Sequence, residues 1–142
     1  MLALIHPGLV HFSVALLVVG GGAEAWGLLG RAERARSFGA ALTLAGTISL
    51  VPTVAAGYLA INSVTLSASA GAVAQRHETV GLLILAAFVT SQFWKGWVGG
   101  RLPESSRVPY ALLLAAGVAL VVYGALLGGE LVYVHGVGVR QL

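Results

Sequence analysis

Residues 109–134 read PYALLLAAGVALVVYGALLGGELVYV, and no charged side chain occurs from Pro109 to Gly129. A helix of about 20 such residues spans roughly 30 Å of hydrocarbon. Three more stretches of this kind precede it, Leu9 to Leu29, Phe38 to Ile61 and Thr79 to Val98. Apolar residues make up 58% of the 142 residues and charged residues only 9%, so a water-soluble domain is excluded. Lipid offers the backbone no hydrogen-bond partners, so each stretch is expected to be helical. The expected fold is an all-α membrane protein: one integral domain over residues 1–142, with four transmembrane helices in an up-down bundle (spans about 9–29, 38–61, 79–98 and 109–134).

The basic residues sort by side. Arg31, Arg34 and Arg36 lie between spans one and two, and Lys95, Arg101 and Arg107 flank the link between spans three and four; Arg76 and Arg140 lie on the opposite side. The positive-inside rule then places both termini outside and the two basic links in the cytoplasm. A pI of 9.8 therefore reflects topology, and no nucleic-acid partner is expected. Met1 to Ile5 has no basic flank, so the first span is expected to remain as an anchor. The absence of Cys removes disulfides, iron–sulfur ligation and c-type haem attachment.

Prolines and polar residues suggest the helix ends. Pro7 suits the first turn of helix one, Ser37 is a candidate cap for helix two, and Pro109 is placed to open helix four. The outer connection, Asn62 to Gln75, reads as a surface helix or a loop. Pro52 predicts a kink, with Ser49 offsetting the lost backbone bond. No sequence repeat is evident, although spans one and three both begin with His and have small residues beyond.

The four histidines, His6, His11, His77 and His135, all fall at the outer ends of the spans. An interfacial histidine can be a simple anchor or a hydrogen-bond donor to a neighbouring helix. Four at one level also suit transition-metal or haem ligation from facing helices. His6 and His11 are separated by about 140° around a helix and roughly 7.5 Å along it, so they should serve different partners. His11 is expected to face His77 as an axial pair for b-type haem. His6 and His135 are left for a second haem, a metal ion or a quinone head group. Gly20, Gly21, Gly22, Gly46, Thr53, Gly57, Gly81, Gly128 and Gly129 leave room for a flat macrocycle, or serve ordinary helix packing. Glu78 and Glu130 can orient an imidazole or accept a proton, although Glu78 also suits the first turn of a helix as a solvated acid. Glu24 can reach Arg31 or water, and no function is assigned to it. Trp26, Trp94 and Trp97 read as an interfacial belt.

HPGLVHFSVALL, from His6 to Leu17, and GGELVYVHGVGV, from Gly128 to Val139, resemble the two signatures of a small bacterial family of predicted four-helix membrane proteins of unknown function. The resemblance covers essentially the whole chain. His6, His11 and His135 match its motif positions, and His77 matches a histidine at the start of the third helix; relatives commonly carry Pro where this chain has Ser13. Some relatives are joined to Rieske iron–sulfur or cytochrome c modules, which implies a redox role at the outer face.

The expected function is that of a membrane b-type cytochrome with one or two haems near the outer leaflet. It would carry electrons from a membrane donor such as quinol to an outer-face partner of Rieske or cytochrome c type, more as a redox subunit than as a stand-alone enzyme. His6, His11, His77 and His135 are the expected cofactor and iron ligands, with Glu78 or Glu130 taking a proton if a quinone binds. A copper or zinc protein using the same histidines, or a non-catalytic subunit of a larger complex or homo-oligomer, remains open.

Overall fold

In the computed structural model, residues 2–139 are described, with side chains from Ile5 onward. Arg140, one of the two basic residues expected opposite the basic links, lies outside them. Four helices follow in order: α1 (Leu2–Leu29), α2 (Glu33–Ile61), α3 (Ala68–Trp97) and α4 (Glu104–Tyr133). All four are long and apolar enough to cross a membrane. The links between them are short, so successive helices run antiparallel. The pairs α1/α2, α2/α3, α3/α4 and α4/α1 pack together, which puts α1 opposite α3 and α2 opposite α4 across the bundle.

Each helix has 28–30 residues, about 42–45 Å at 1.5 Å per residue. That exceeds the hydrocarbon thickness, so the ends reach the headgroup zone, and all four starts differ from those expected from apolarity alone. Pro7 and Pro109 lie inside α1 and α4, not at their openings. Residue Ala32 caps α2, and Ser37 sits within that helix. The segment left as loop or surface helix is the beginning of α3, which starts at Ala68 with the Ser67 hydroxyl accepting the Ala70 N–H at 3.2 Å. Apolar count ends where polar residues begin, whereas backbone hydrogen bonding continues through them.

Close approach explains the firm α1/α2 contact. A side chain at Gly39 would strike the Glu24 backbone, and one at Gly27 would strike the Arg36 backbone. Glycine at these positions lets the two helices touch through their main chains. Polar bonds add to the contact: Ser13 Oγ lies 2.9 Å from Ser49 Oγ and 2.8 Å from Thr53 Oγ1. Ser49 donates to Gly46 O, not to the Ile48 carbonyl that Pro52 leaves without its helical partner, so it does not offset that loss as expected.

At the centre, Leu17, Phe88, Leu114 and Thr43 are fully buried. Outward positions are equally apolar, with Phe12, Ile48, Phe93 and Leu126 all exposed. A bundle greasy both inside and out is solvated by lipid, and the chain is a multi-pass membrane protein.

Candidate functional site

At one end of the bundle α1 and α3 begin and α2 and α4 finish. His6 on α1 and His77 on α3 meet there across the bundle, with ring centroids 6.3 Å apart and ring planes at 84°. Each ring is held by the helix beside it. His6 Nδ1–H donates to Thr53 O on α2 at 2.9 Å, and His77 Nδ1–H donates to Gly124 O on α4 at 3.0 Å. A carbonyl can only accept, so each Nδ1 carries the proton and each Nε2 keeps a lone pair. Neither Nε2 has a hydrogen-bond partner among the described residues.

Glycines seat the rings. A Cβ at Gly57 would lie 2.7 Å from His6 Cε1, and one at Gly128 would lie 3.3 Å from His77 Cε1. These glycines, one turn beyond the accepting carbonyls, leave a bare stretch of backbone against the Cε1 edge of each imidazole. The other small residues divide: Gly20, Gly21 and Gly46 pack helix against helix, while Gly22 and Gly81 face open space.

The pairing differs from the one expected. His11 is exposed, and its Nδ1–H turns back to Pro7 O of its own helix at 2.5 Å. Lying about 140° from His6 on a regular helix, it points away from the bundle once His6 points in. His135 follows α4 in the turn beyond Tyr133; its Nε2 lies 4.0 Å from Glu130 Oε1, a side chain nearly half exposed. Glu78 is half-buried beside His77, and its Oε1 is buried with no partner among the described residues. No group of three or more His, Cys, Asp or Glu side chains able to hold a metal ion occurs among the described residues.

The opposite end holds a polar cluster that sequence reasoning missed. Glu24 is 1% exposed, and its Oε1 accepts from Lys95 Nζ at 3.1 Å and from the Tyr110 hydroxyl at 3.2 Å. It does not reach out to Arg31, which pairs with Glu104. The signal was a carboxylate inside span one and a Lys inside the last turn of span three, both too costly in lipid to stand alone. Trp94 is half-buried, its ring 5.8 Å from that of Tyr110, so only Trp26 and Trp97 face outward as belt residues. Two cavities open at this end. One of 220 Å³ is lined by Arg31, Arg36, Arg107 and their carboxylate partners, and one of 110 Å³ by Glu24, Arg36, Ser37 and Lys95. Neither touches a histidine.

No curated protein and no solved structure matches the chain. The family described as "Predicted membrane protein (DUF2231)" matches over residues 3–141, which takes in both signature segments and all four histidines. With that match over nearly its full length, the chain belongs to this family of predicted membrane proteins.

Proposed function

We propose that the protein is a b-type cytochrome in which His6 and His77 are the axial ligands of one haem, at the end of the bundle that faces away from the cytoplasm. The observation that carries this reading is the shared state of the two rings. Both donate Nδ1–H to a backbone carbonyl and keep Nε2 free, the tautomer and support that a metal-binding imidazole needs. Their separation supports it too. The two ring centroids lie 6.3 Å apart, from helices on opposite sides of the bundle, so one metal-centred group would be held by both rings.

Two protein ligands suit haem better than a bare ion. A porphyrin supplies the four equatorial nitrogens itself, whereas a structural zinc site takes four protein ligands and a catalytic one three. The absence of any such cluster among the described residues therefore counts against the copper or zinc reading. When bound, haem would supply one-electron chemistry, and His6 and His77 together would leave the iron no open position for oxygen, which favours electron transfer. The protein's part is to fix ring orientation through Thr53 O and Gly124 O and to keep α2 and α4 bare at Gly57 and Gly128.

The six basic residues at the other end support a cytoplasmic position for that end, and with it a histidine site on the outer side of a bacterial inner membrane. Its partners there are a membrane donor such as quinol and a redox protein of Rieske or cytochrome c type. Glu78, whose buried Oε1 lacks a partner, is the side chain best placed to take a proton from a quinol. Glu130 and His135 lie beside the site as a more exposed pair.

Absorption spectra of alanine variants at the four histidines test the assignment. His6→Ala and His77→Ala each abolish the low-spin haem signal, while His11→Ala and His135→Ala keep it. Loss of haem in His11→Ala with retention in His6→Ala would overturn the pairing.

A further inference from the structure

Setting residue n beside residue n + 71 lays the hairpin α1–α2 over the hairpin α3–α4. His6 answers to His77, and each donates to a carbonyl 47 residues further along the chain, at Thr53 and Gly124. The glycines that seat the rings, Gly57 and Gly128, are equivalent as well. Halfway down, Gly46 faces Leu17 while Gly117 faces Phe88, and Leu17 and Phe88 are themselves equivalent. Near the basic end the ion pair Glu33–Arg36 recurs as Glu104–Arg107, each between residues i and i+3. Burial recurs too. Gly39, Thr43, Gly46, Leu50, Thr53 and Ala56 of α2 all have buried counterparts in α4, from Tyr110 to Leu127; among the buried residues of α2, Thr47 alone does not.

The equivalent helices α1 and α3 run parallel and stand opposite each other, so the halves are related by an approximate twofold axis along the bundle. Side chains that meet their own counterparts must lie beside that axis. Two contacts among the described residues meet this condition: His6 with His77 at one end, and Glu24 with Lys95 at the other, 3.1 Å apart. They are separated along α1 by about 27 Å at 1.5 Å per residue, so together they define the axis over most of the bundle. The second contact also fits a duplicated origin. Two identical halves would set like side chains against each other there, and Glu opposite Lys turns that clash into a buried pair.

We infer that the chain is a tandem duplication of one helical hairpin, and that its histidine site is a single binding site built across the twofold axis from two equivalent half-sites. Each half-site consists of an imidazole, the carbonyl that orients it and the glycine that seats it. The ligand such a site takes is one metal-centred planar group with two like faces, one per chain; this part rests on the haem reading above. The other two histidines have no histidine counterpart, because His11 answers to Leu82 and His135 to Val64. No second equivalent pair is available to hold another such group.

Two sets of full-length variants test this. His6→Met and His77→Met each retain one haem per chain, with matching spectra and with midpoint potentials that rise together above that of the unmodified protein, because Met in place of His raises the potential. One of them keeping the spectrum of the unmodified protein while the other changes would overturn the equivalence. The second set needs no ligand. Glu24→Lys sets two ammonium groups together on the axis and lowers the thermal midpoint by about 5 °C or more, and adding Lys95→Glu recovers most of the loss by restoring the pair in mirrored order. A double variant no better than Glu24→Lys alone overturns the duplication. Absence of haem from the unmodified protein overturns the ligand and leaves the charge swap to decide the duplication separately.

Discussion

A histidine becomes a ligand through what holds its other nitrogen. Thr53 O and Gly124 O fix the tautomer of His6 and His77, and a methyl group at Gly57 would sit 2.7 Å from the His6 ring. Gly57→Ala is therefore expected to displace that ring and cut haem occupancy several-fold, read as haem per chain after purification, while the helical circular dichroism stays unchanged; full occupancy would show that the glycine does not seat the ring. At the other end, Glu24→Gln leaves the mostly buried Lys95 ammonium without its counter-charge. A loss of about 3 kcal/mol is expected, visible as a lower midpoint of thermal unfolding in detergent. A variant as stable as the parent would mean that the pair contributes nothing net. The histidine end of the molecule was legible in sequence because all four histidines fall at span ends. The pairing was not, because the angle of about 140° between His6 and His11 says that only one of them turns into the bundle and not which; the structure turns His6 in and leaves His11 exposed.

At the scale of the element, apolar length located all four helices, since lipid allows the backbone no alternative. It did not locate their ends. Ser67 caps α3 well before the apolar run at Thr79 begins, and Glu33 and Glu104 open α2 and α4 as first-turn acids that suit the helix dipole. The α1/α2 contact is the sharpest feature here. Because a Cβ at Gly39 collides with the Glu24 main chain and not with a flexible side-chain tip, Gly39→Ala must push the helices apart. We expect it to destabilise the protein by about 2 kcal/mol, in the range of overpacking changes, whereas Gly22→Ala, which faces open space, should leave the thermal midpoint within about 1 °C of the parent. Equal midpoints for the two variants would show that main-chain contact is not what holds these helices.

For the whole molecule, the arrangement of charge and the arrangement of histidine point along the same axis in opposite directions. Basic side chains crowd one end and all four histidines the other, so the bundle is polar along its length even though its two halves repeat. The repeat was faint in the sequence for a physical reason: lipid-facing positions accept almost any large apolar residue, so only scattered identities 71 residues apart remain, such as His6 with His77 and Glu33 with Glu104. Paired contacts such as Gly46 with Leu17 and Gly117 with Phe88 single those identities out from chance. Orientation is checked by labelling. A cysteine placed at Gly136 should react with an impermeant thiol reagent added to intact cells, and one placed at Ser105 should not; the reverse pattern would turn the histidine end to the cytoplasm. The central claim, one bis-histidine haem per chain, is tested most directly by oxidised and dithionite-reduced absorption spectra of the detergent-purified protein, with a pyridine haemochrome count. Sharp reduced α and β bands and one haem b per chain are predicted; a featureless visible spectrum after expression with ample haem contradicts the account.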